Sequence, residues 1–202
     1  MRRTKQQAEA TRAAVLQAAL EVFSERGYGA TTLDEVAQRA SVTRGAVYHH
    51  FTGKADLFLS MIKEYWAAAD AALWIALQGN DPPLTRVRRF LVRYLNAAES
   101  DERLRRLLEI VTIRVEAVGE LDAGLQDEQG VFAGLLEEIT YVATEARRRG
   151  ELREDMTPRG AATLALSMLI GVIRTWLLSP DLLRPTKVAI LVADAWVRSV
   201  AS

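Results

Sequence analysis

The chain of 202 residues has no cysteine and only two histidines, which excludes several kinds of chemistry. Without cysteine it forms no disulfide, no thiolate zinc site and no cysteine nucleophile, and this fits a reducing compartment. The G-x-S-x-G and P-loop motifs are also missing, and the glycine pair Gly27 and Gly29 lacks the third glycine of a dinucleotide-binding loop. We therefore expect no cofactor and a cytoplasmic location, and a helical enzyme stays only as a remote alternative.

Long hydrophobic runs are missing as well. The longest apolar segment, AATLALSMLIGVI at residues 161–173, is closed by Arg174 and is shorter than the ~20 residues that a membrane span needs. The basic N-terminus MRRTKQQAEATR is not followed by the apolar segment of a secretory signal. Half of the residues are hydrophobic, so a packed core is within reach. We expect residues 161–173 to form a buried helix and the protein to have no membrane partner.

The net charge is zero, but the charges are not evenly distributed. The first sixty residues carry eight cations and six anions, whereas the remainder carries eighteen cations and twenty anions. Four of those cations and a single anion fall within the first twelve residues. A basic arm ahead of a near-neutral body is typical of proteins that bind nucleic acid, although such arms are often only solvated.

Apolar residues recur with helical spacing along the chain, and no run alternates as a strand does. Gly27 is placed to end the first helix with a left-handed cap, Thr32 and Glu35 form a capping box, and Thr43 suits an N-cap. The first three helices are therefore predicted at residues 11–27, from Thr32, and 43–51. Six more are predicted at 54–77, 84–98, 101–118, 122–149, 158–178 and 185–200. The prediction is an all-α protein with one domain at residues 1–53 and a second at 54–202.

The second and third helices have helix-turn-helix proportions. Ala37 is small where the two helices must pack closely, and Val47 is predicted to face the first helix. Val36, Val42 and Phe51 can complete a small core. The outward residues are then Thr43, Arg44, Gly45, Tyr48, His49 and His50. Arginine, tyrosine and histidine without a carboxylate on one helix face suit a helix that enters the major groove of DNA.

The adjacent histidines raise the alternative of a metal site. Neighbouring residues on a helix point ~100° apart, whereas chelating pairs on helices are spaced four residues apart. His49 and His50 have no third histidine and no cysteine to complete a ligand set. The sequence therefore predicts no metal site.

A resemblance to a known family covers about the first sixty residues. The segment FSERGYGATTLDEVAQRASVTRGAVYHHFTGKADLF resembles the DNA-binding domain of the TetR family of transcriptional repressors. The N-terminal RRTKQQAEATR, the VTRGA core and the later GVIRTWLLSPD are most similar to the repressors of multidrug efflux pumps. Two positions depart from the pattern, because Ser41 stands where glycine is frequent and His49 where this subgroup often has tryptophan. The resemblance implies a three-helix helix-turn-helix domain, followed by a helical domain for ligand binding and dimerisation.

Candidate DNA-binding residues can be assigned individual roles. The Arg44 guanidinium suits guanine O6 and N7, and Gly45 leaves room for a close approach to DNA. Hydroxyls and helix N-terminal amides at Thr32 and Thr43 can contact phosphates, and the departure at His49 bears on operator choice. The resemblance implies further contacts to the DNA backbone or minor groove, from Tyr48, His50, Lys54, Arg2, Arg3 and Lys5. The alternatives are that Tyr48 covers the core and that Lys54 is an ordinary solvated lysine.

The resemblance also implies an apolar effector pocket in the helices of the second domain. The aligned positions are Leu108, Thr112, Leu166, Ile170 and Thr175. Aromatic or adaptable walls can come from Trp66, Trp74, Met168 and Trp176, and each of these nine residues has plain core as its alternative.

Two helices are candidates for dimerisation. On the helix at residues 158–178, Ser167, Gly171 and Thr175 form a stripe of small residues that permits close helix packing. The final helix has an apolar face formed by Val188, Leu191, Val192, Ala195 and Trp196. The alternative is that both faces belong to the intramolecular core.

Together these features predict a ligand-responsive regulator, a repressor that binds a palindromic double-stranded operator as a homodimer. An apolar or aromatic small-molecule inducer would release it, and the regulated gene would encode an efflux transporter. The alternative within the family is a regulator that responds to a metabolite such as an acyl-CoA.

Overall fold

The computed structural model describes residues 5–114 and 122–202, without the side chains of 70–72, 114 and 122–131. Within these ranges the chain forms nine α-helices and no sheet, so the all-α prediction is confirmed. The helices are α1 Lys5–Ala30, α2 Leu33–Arg39, α3 Arg44–His50, α4 Lys54–Trp74, α5 Pro83–Ser100, α6 Glu102–Glu109, α7 Asp122–Arg148, α8 Pro158–Leu178 and α9 Pro185–Val200.

Local capping explains where α2 and α3 begin. The Thr32 hydroxyl accepts from Glu35 N (3.3 Å) and the Glu35 carboxylate accepts from Thr32 N (2.9 Å), which confirms the capping box. The Thr43 hydroxyl accepts from Ala46 N at 3.2 Å, as an N-cap does. Gly27 has the positive φ that a cap needs (75°), but its ψ of 172° produces a kink and α1 continues to Ala30.

Two predicted helices end in a different geometry from the one expected. The segment at residues 54–77 is α-helical only to Trp74 and finishes as a 3₁₀ turn, Ile75–Leu77. The segment predicted at 101–118 is α-helical to Glu109 and continues as a π-helical turn, Ile110–Arg114, while 115–118 lie outside the described residues. Such departures from α geometry depend on packing, which periodicity does not report.

The chain divides into two compact units. The first comprises Met1–Ala67 and Arg106–Gln126, and the second comprises Ala68–Arg105 and Asp127–Ser202. The expected domain boundary between residues 53 and 54 stays a prediction. In the first unit, Phe23 and Phe58 are fully buried and pack edge to face with centroids 5.0 Å apart.

The core of the second unit is built largely by α5, α8 and α9. Trp196 of α9 is fully buried and donates its indole N–H to Ala161 O of α8 at 2.9 Å. Arg88 of α5 pairs with Asp194 of α9 at 2.6 Å.

Helix α8 is the only described helix that is long and apolar enough, by length and composition, to cross a membrane. Its most apolar window has a mean hydropathy of 1.8, and a third of that window is buried. The buried face of α8 includes Ala161, Ala165, Leu169 and Ile173, in keeping with the predicted core helix. Core helices of soluble proteins share this composition, so a single helix of this kind is weak evidence for a span.

Candidate nucleic-acid interface and cavity

The turn between α2 and α3 sets the orientation of α3. Ala40 N donates to Val36 O and Val42 N donates to Ala37 O, each at 2.9 Å. Between them Ser41 adopts a φ of 55°, the left-handed conformation that glycine usually occupies. The serine that stands here in place of the frequent glycine is therefore held in a backbone conformation that is unfavourable for a residue with a Cβ.

Burial along α2 and α3 agrees with the predicted core. Val36, Ala37, Val47 and Phe51 are buried, whereas Val42 is only half-buried. The outward set is exposed apart from His50, which is half-buried: Thr43, Arg44, Gly45, Tyr48 and His49. The six residues from Arg44 to His49 therefore present an arginine, a tyrosine and a histidine on the outside of the first unit.

Arg44 is held on this surface by two neighbours. Its Nη1 donates to Asp34 Oδ2 at 3.2 Å, and its Nη2 donates to the Tyr48 hydroxyl at 3.3 Å. The guanidinium carbon lies 5.4 Å from the centroid of the Tyr48 ring. The hydrogen bond to Tyr48, followed by the negative charge of Asp34, raises the pKa of Arg44 above its ordinary value.

Asp34 is the feature of this surface that sequence reasoning missed. The α3 face itself carries no carboxylate, as predicted, but Asp34 reaches it from the first turn of α2. Helical periodicity relates residues three or four apart, and Asp34 and Arg44 are ten apart and on different helices. Neither their spacing nor the helical periodicity pairs them in the sequence.

Tyr48 and the two histidines can now be placed. Tyr48 is 47% exposed, so the alternative in which it covers the core is not supported. The rings of His49 and His50 lie with centroids 5.1 Å apart at a steep angle. Among the described residues no group of three or more histidine or carboxylate side chains can hold a metal ion.

Lys54 has contacts that the sequence did not predict. Its ammonium donates to the carbonyl oxygens of Tyr28 (2.9 Å), Gly29 (3.3 Å) and Thr31 (3.1 Å). It also lies 4.4 Å from the centroid of the Tyr28 ring. The three donors of the ammonium thus serve the C-terminal end of α1, so a phosphate contact by Lys54 requires it to exchange one carbonyl.

The arm residues are only partly described. Arg2 and Arg3 lie outside the described residues. Lys5 begins α1 with a side chain that is 94% exposed and only loosely paired with Glu9, at 3.9 Å. Its ammonium is therefore accessible to an outside partner.

An ion-pair network fixes α2 against α1. Arg39 binds Glu25 at 2.9 Å and Glu21 at 3.2 Å, and Arg106 donates to the Ser24 hydroxyl at 3.2 Å. Hydrogen bonding from Arg39 lowers the pKa of Glu25 below its ordinary value, so this carboxylate stays charged at neutral pH. The contacts of Arg39 join α2 to α1, whereas the contact of Arg106 joins α6 to α1.

The second unit contains a cavity of about 370 Å³. Its lining residues are Trp74, Leu77, Gln78, Gly79, Arg86, Glu138, Tyr141 and Val142. Arg86 donates to Gly79 O at 2.9 Å and forms an ion pair with Glu145. Trp74 is the one residue of the predicted pocket set that lines this cavity.

The remaining predicted pocket residues divide between the units. Trp66, Leu108 and Thr112 belong to the first unit, where Trp66 and Leu108 are buried and Thr112 is half-buried. The others lie on α8 in the second unit. There Trp176 is buried, and the half-buried residues are Leu166, Met168, Ile170 and Thr175. At 3.6 residues per turn, Leu166 and Ile170 occupy one flank of α8, whereas Met168 and Thr175 occupy the opposite flank.

The predicted dimer stripe of α8 is largely accessible and the apolar face of α9 is partly buried, while dimerisation itself stays a prediction. Ser167 and Gly171 are exposed and Thr175 is half-buried, and Leu191 of α9 is 63% exposed. Trp196, predicted on the apolar face of α9, is fully buried against α8, so for this residue the alternative of an intramolecular core holds. Its apolar character serves the core of the second unit.

The fold and the exposed α3 surface together define a helix-turn-helix DNA-binding protein. Residues 15–61 match the family model described as bacterial regulatory proteins, tetR family. Residues 82–200 match the model of the MAATS-type transcriptional repressor, C-terminal region. The chain belongs to the TetR family of transcriptional regulators.

Single proteins of known description are also similar to this chain over most of its length. The transcriptional regulator TtgR of Pseudomonas putida is 35% identical over 90% of this chain and 87% of its own length. NalD, the secondary repressor of the MexAB-OprM multidrug efflux pump in Pseudomonas aeruginosa, superposes with a TM-score of 0.84 at 30% identity, covering 98% of both chains. The complex of SmeT with triclosan gives a TM-score of 0.84 at 27% identity, over 96% of this chain and 92% of that one.

Proposed function

We propose that this protein is a ligand-responsive repressor that binds a palindromic operator as a homodimer and controls an efflux transporter. The observation that carries the proposal is the exposed surface of α3, where an arginine, a tyrosine and a histidine lie at the outer face of a helix-turn-helix. The relatives NalD and SmeT, which share the fold over nearly the whole chain, support the link to efflux. A regulator of this kind works in the cytoplasm, where its DNA is.

The DNA contacts follow from the chemistry of the surface. Arg44 reads guanine through its planar fork, and His49, exposed on the same helix, contributes to operator choice. The N-cap residues Thr32 and Thr43 and the neighbouring amides contact phosphates. Further backbone or minor-groove contacts come from Tyr48, His50, Lys5, Arg2 and Arg3, with Lys54 joining them if it exchanges a carbonyl for a phosphate.

Gly45 independently supports the proposal that α3 faces the DNA. A Cβ built at Gly45 would meet only the Thr43 hydroxyl, at 3.9 Å, and the backbone there is helical. The fold therefore does not need glycine at this position. The absence of a side chain is useful when an outside partner, here the DNA groove, approaches the helix closely.

The effector is an apolar or aromatic small molecule. The cavity of the second unit offers a tryptophan, a tyrosine and two aliphatic side chains, with Gln78, Arg86 and Glu138 as polar groups. The aromatic and aliphatic side chains suit an apolar or aromatic ligand. The other predicted pocket residues remain candidates: Trp66, Leu108, Thr112, Leu166, Met168, Ile170, Thr175 and Trp176.

Release from DNA follows from a population shift. Two copies must place their α3 helices about 34 Å apart to enter successive major grooves. An effector that binds more tightly to a dimer with a different spacing of the α3 helices lowers operator affinity. The loss equals the difference between the effector's binding free energies for the two spacings. The coupling element is α4, because this one helix begins at Lys54 in the first unit and ends at Trp74, which lines the cavity.

DNase footprinting on the DNA upstream of the protein's own gene tests the proposal. We expect protection of a palindrome that triclosan, a cationic dye or a flavonoid abolishes. Loss of protection with an acyl-CoA alone would establish the metabolite-responsive alternative. No protected site, with or without these compounds, would contradict the proposal.

Variants at α3 test the reading surface. Arg44→Ala should weaken operator binding about tenfold to hundredfold while changing binding to scrambled DNA much less. Gly45→Leu should keep the fold, measured by circular dichroism, and lose operator binding. Equal losses on both DNAs for Arg44→Ala would make it a phosphate contact.

A further inference from the structure

Arg44 is held by residues of two different helices. Asp34 lies in the first turn of α2, and its carboxylate accepts from Arg44 Nη1 at 3.2 Å. Tyr48 lies one turn along α3 and accepts from Arg44 Nη2 at 3.3 Å, with its ring beneath the guanidinium. The guanidinium is therefore oriented before any DNA is present, although Arg44 and Asp34 are 60% and 62% exposed.

The charges at the two helix ends favour this arrangement. Arg44 is the first residue of α3, where the positive end of the helix dipole disfavours a cation. Asp34 is at the start of α2, where the same dipole favours an anion. Among the described residues Asp34 is the one carboxylate that pairs with Arg44, so it supplies the charge compensation that this arginine has.

The pairing leaves Arg44 able to read a base. A guanidinium has five N–H donors. The contacts to Asp34 and Tyr48 use one on each terminal nitrogen, and the described residues accept none of the other three. Guanine needs two donors, for O6 and N7. Asp34 and a guanine can therefore be bound by Arg44 at the same time.

We propose that Asp34 determines operator specificity by holding Arg44 oriented towards guanine and by reducing its attraction to phosphate. The inference rests on the proposed function, since it requires α3 to face DNA. Compensation of the charge weakens sequence-independent phosphate binding, which depends on unpaired cations. Orientation of the fork favours the bidentate guanine contact, which depends on geometry. Both effects raise the ratio of operator affinity to non-specific affinity.

The Asp34→Asn variant of the full chain separates charge from size. The probes are a duplex of about 30 base pairs obtained by in vitro selection with the wild-type protein, and a scrambled duplex of the same composition. We expect the affinity ratio between them to fall about two- to fivefold, mainly through tighter binding to the scrambled duplex. The salt dependence of that binding should steepen by about one counterion per protomer. Asp34→Glu, which keeps the charge, should restore most of the ratio.

Two controls locate the effect. Glu154→Gln removes one exposed negative charge in the other compact unit, and it should leave the ratio unchanged. In an Arg44→Ala background Asp34→Asn should also leave the ratio unchanged, because Asp34 acts through Arg44. An Asp34→Asn protein whose ratio equals that of the wild type, or whose affinities for both duplexes fall equally, would overturn the role of Asp34. A wild-type protein that yields no selected duplex would instead contradict the proposed function.

Discussion

At the scale of single residues, the α2–α3 turn shows how one position stores backbone strain. Ser41 is exposed and adopts a φ of 55°, a conformation that costs a residue with a Cβ on the order of 1 kcal/mol. Its neighbour Ala40 has an ordinary helical φ of −76°. Position 41 thus requires a positive φ, whereas the adjacent position 40 requires a negative one.

Ser41→Gly should raise the free energy of unfolding by about 0.5–1 kcal/mol, because glycine reaches positive φ without steric cost. Ala40→Gly is the matched control, and it should lower the free energy of unfolding by a similar amount because it only adds freedom to the unfolded chain. Urea denaturation followed by circular dichroism measures both. A Ser41→Gly protein that is less stable than the wild type would contradict the strain at this position.

Lys54 has two candidate roles, one in stabilising the C-terminal end of α1 and one in binding DNA phosphate. Its ammonium binds three carbonyl oxygens at the end of α1 and lies over the Tyr28 ring. A lysine so placed caps a helix C-terminus, where cations are favoured by the helix dipole.

Lys54→Met should lower the free energy of unfolding by about 1–3 kcal/mol, because it leaves these carbonyls without a charged donor. Lys63→Met, at an exposed position on the same helix, should change it by less than about 0.5 kcal/mol. Thermal and urea unfolding give the comparison. If Lys54→Met keeps full stability and loses affinity for scrambled DNA, then its ammonium serves phosphate and not the α1 terminus.

At the scale of helices, the predictable features are those that neighbouring residues determine. The N-caps Thr32 and Thr43 were visible in the sequence, and the helices they begin are in place. The pairs Arg39–Glu25 and Arg44–Asp34 were not predictable, because each joins two helices whose relative orientation depends on the folded core. The reading face of α3 was therefore foreseeable, and the network that orients it was not.

A contact between α5 and α7 makes stability depend on pH. Glu145 of α7 pairs with Arg86 of α5 and with Arg149. The hydrogen bond from Arg86 lowers the pKa of Glu145 below its ordinary value of 4.5. A lowered carboxyl pKa means that the folded state holds the proton less tightly than the unfolded state does. The resulting stability is present above pH 4.5 and is lost as the pH falls through the lowered value.

Glu145→Gln should therefore be less stable than the wild type at neutral pH and should lose less stability between about pH 5 and about pH 3. Glu137→Gln on the same helix is the control, since the described residues offer Glu137 no ion pair. Urea midpoints across this range provide the measurement. Parallel pH profiles for the wild type and Glu145→Gln would show that the α5–α7 pair contributes nothing to acid sensitivity.

At the scale of the whole molecule, the proposed dimer would cover apolar side chains that one copy exposes on α8, on α9 and between them. Leu178, Leu182, Ile190 and Leu191 are each more than half exposed, at the end of α8, in the segment that follows it and on α9. Exposed apolar side chains that lie near each other can form a protein–protein contact, although Ile75 and Tyr141 are also more than half exposed outside this segment. Gly171 is exposed midway along α8, and a Cβ built there would meet no atom within 4 Å in the same chain.

Gly171→Glu should therefore fold as one chain and fail to dimerise, because the new side chain fits a single copy but would obstruct the second helix that the proposed dimer brings to this surface. Gly134→Glu on α7 is the control. A Cβ meets no atom within 4 Å at either glycine, and both substitutions replace a glycine inside a helix with glutamate. Light scattering at micromolar concentration should give the mass of two chains for the wild type and for Gly134→Glu, and that of one chain for Gly171→Glu. Footprinting should then show that the monomer has lost high affinity for the palindrome, because two linked α3 helices are needed to bind both half-sites. A Gly171→Glu protein with the mass of two chains would place the interface elsewhere.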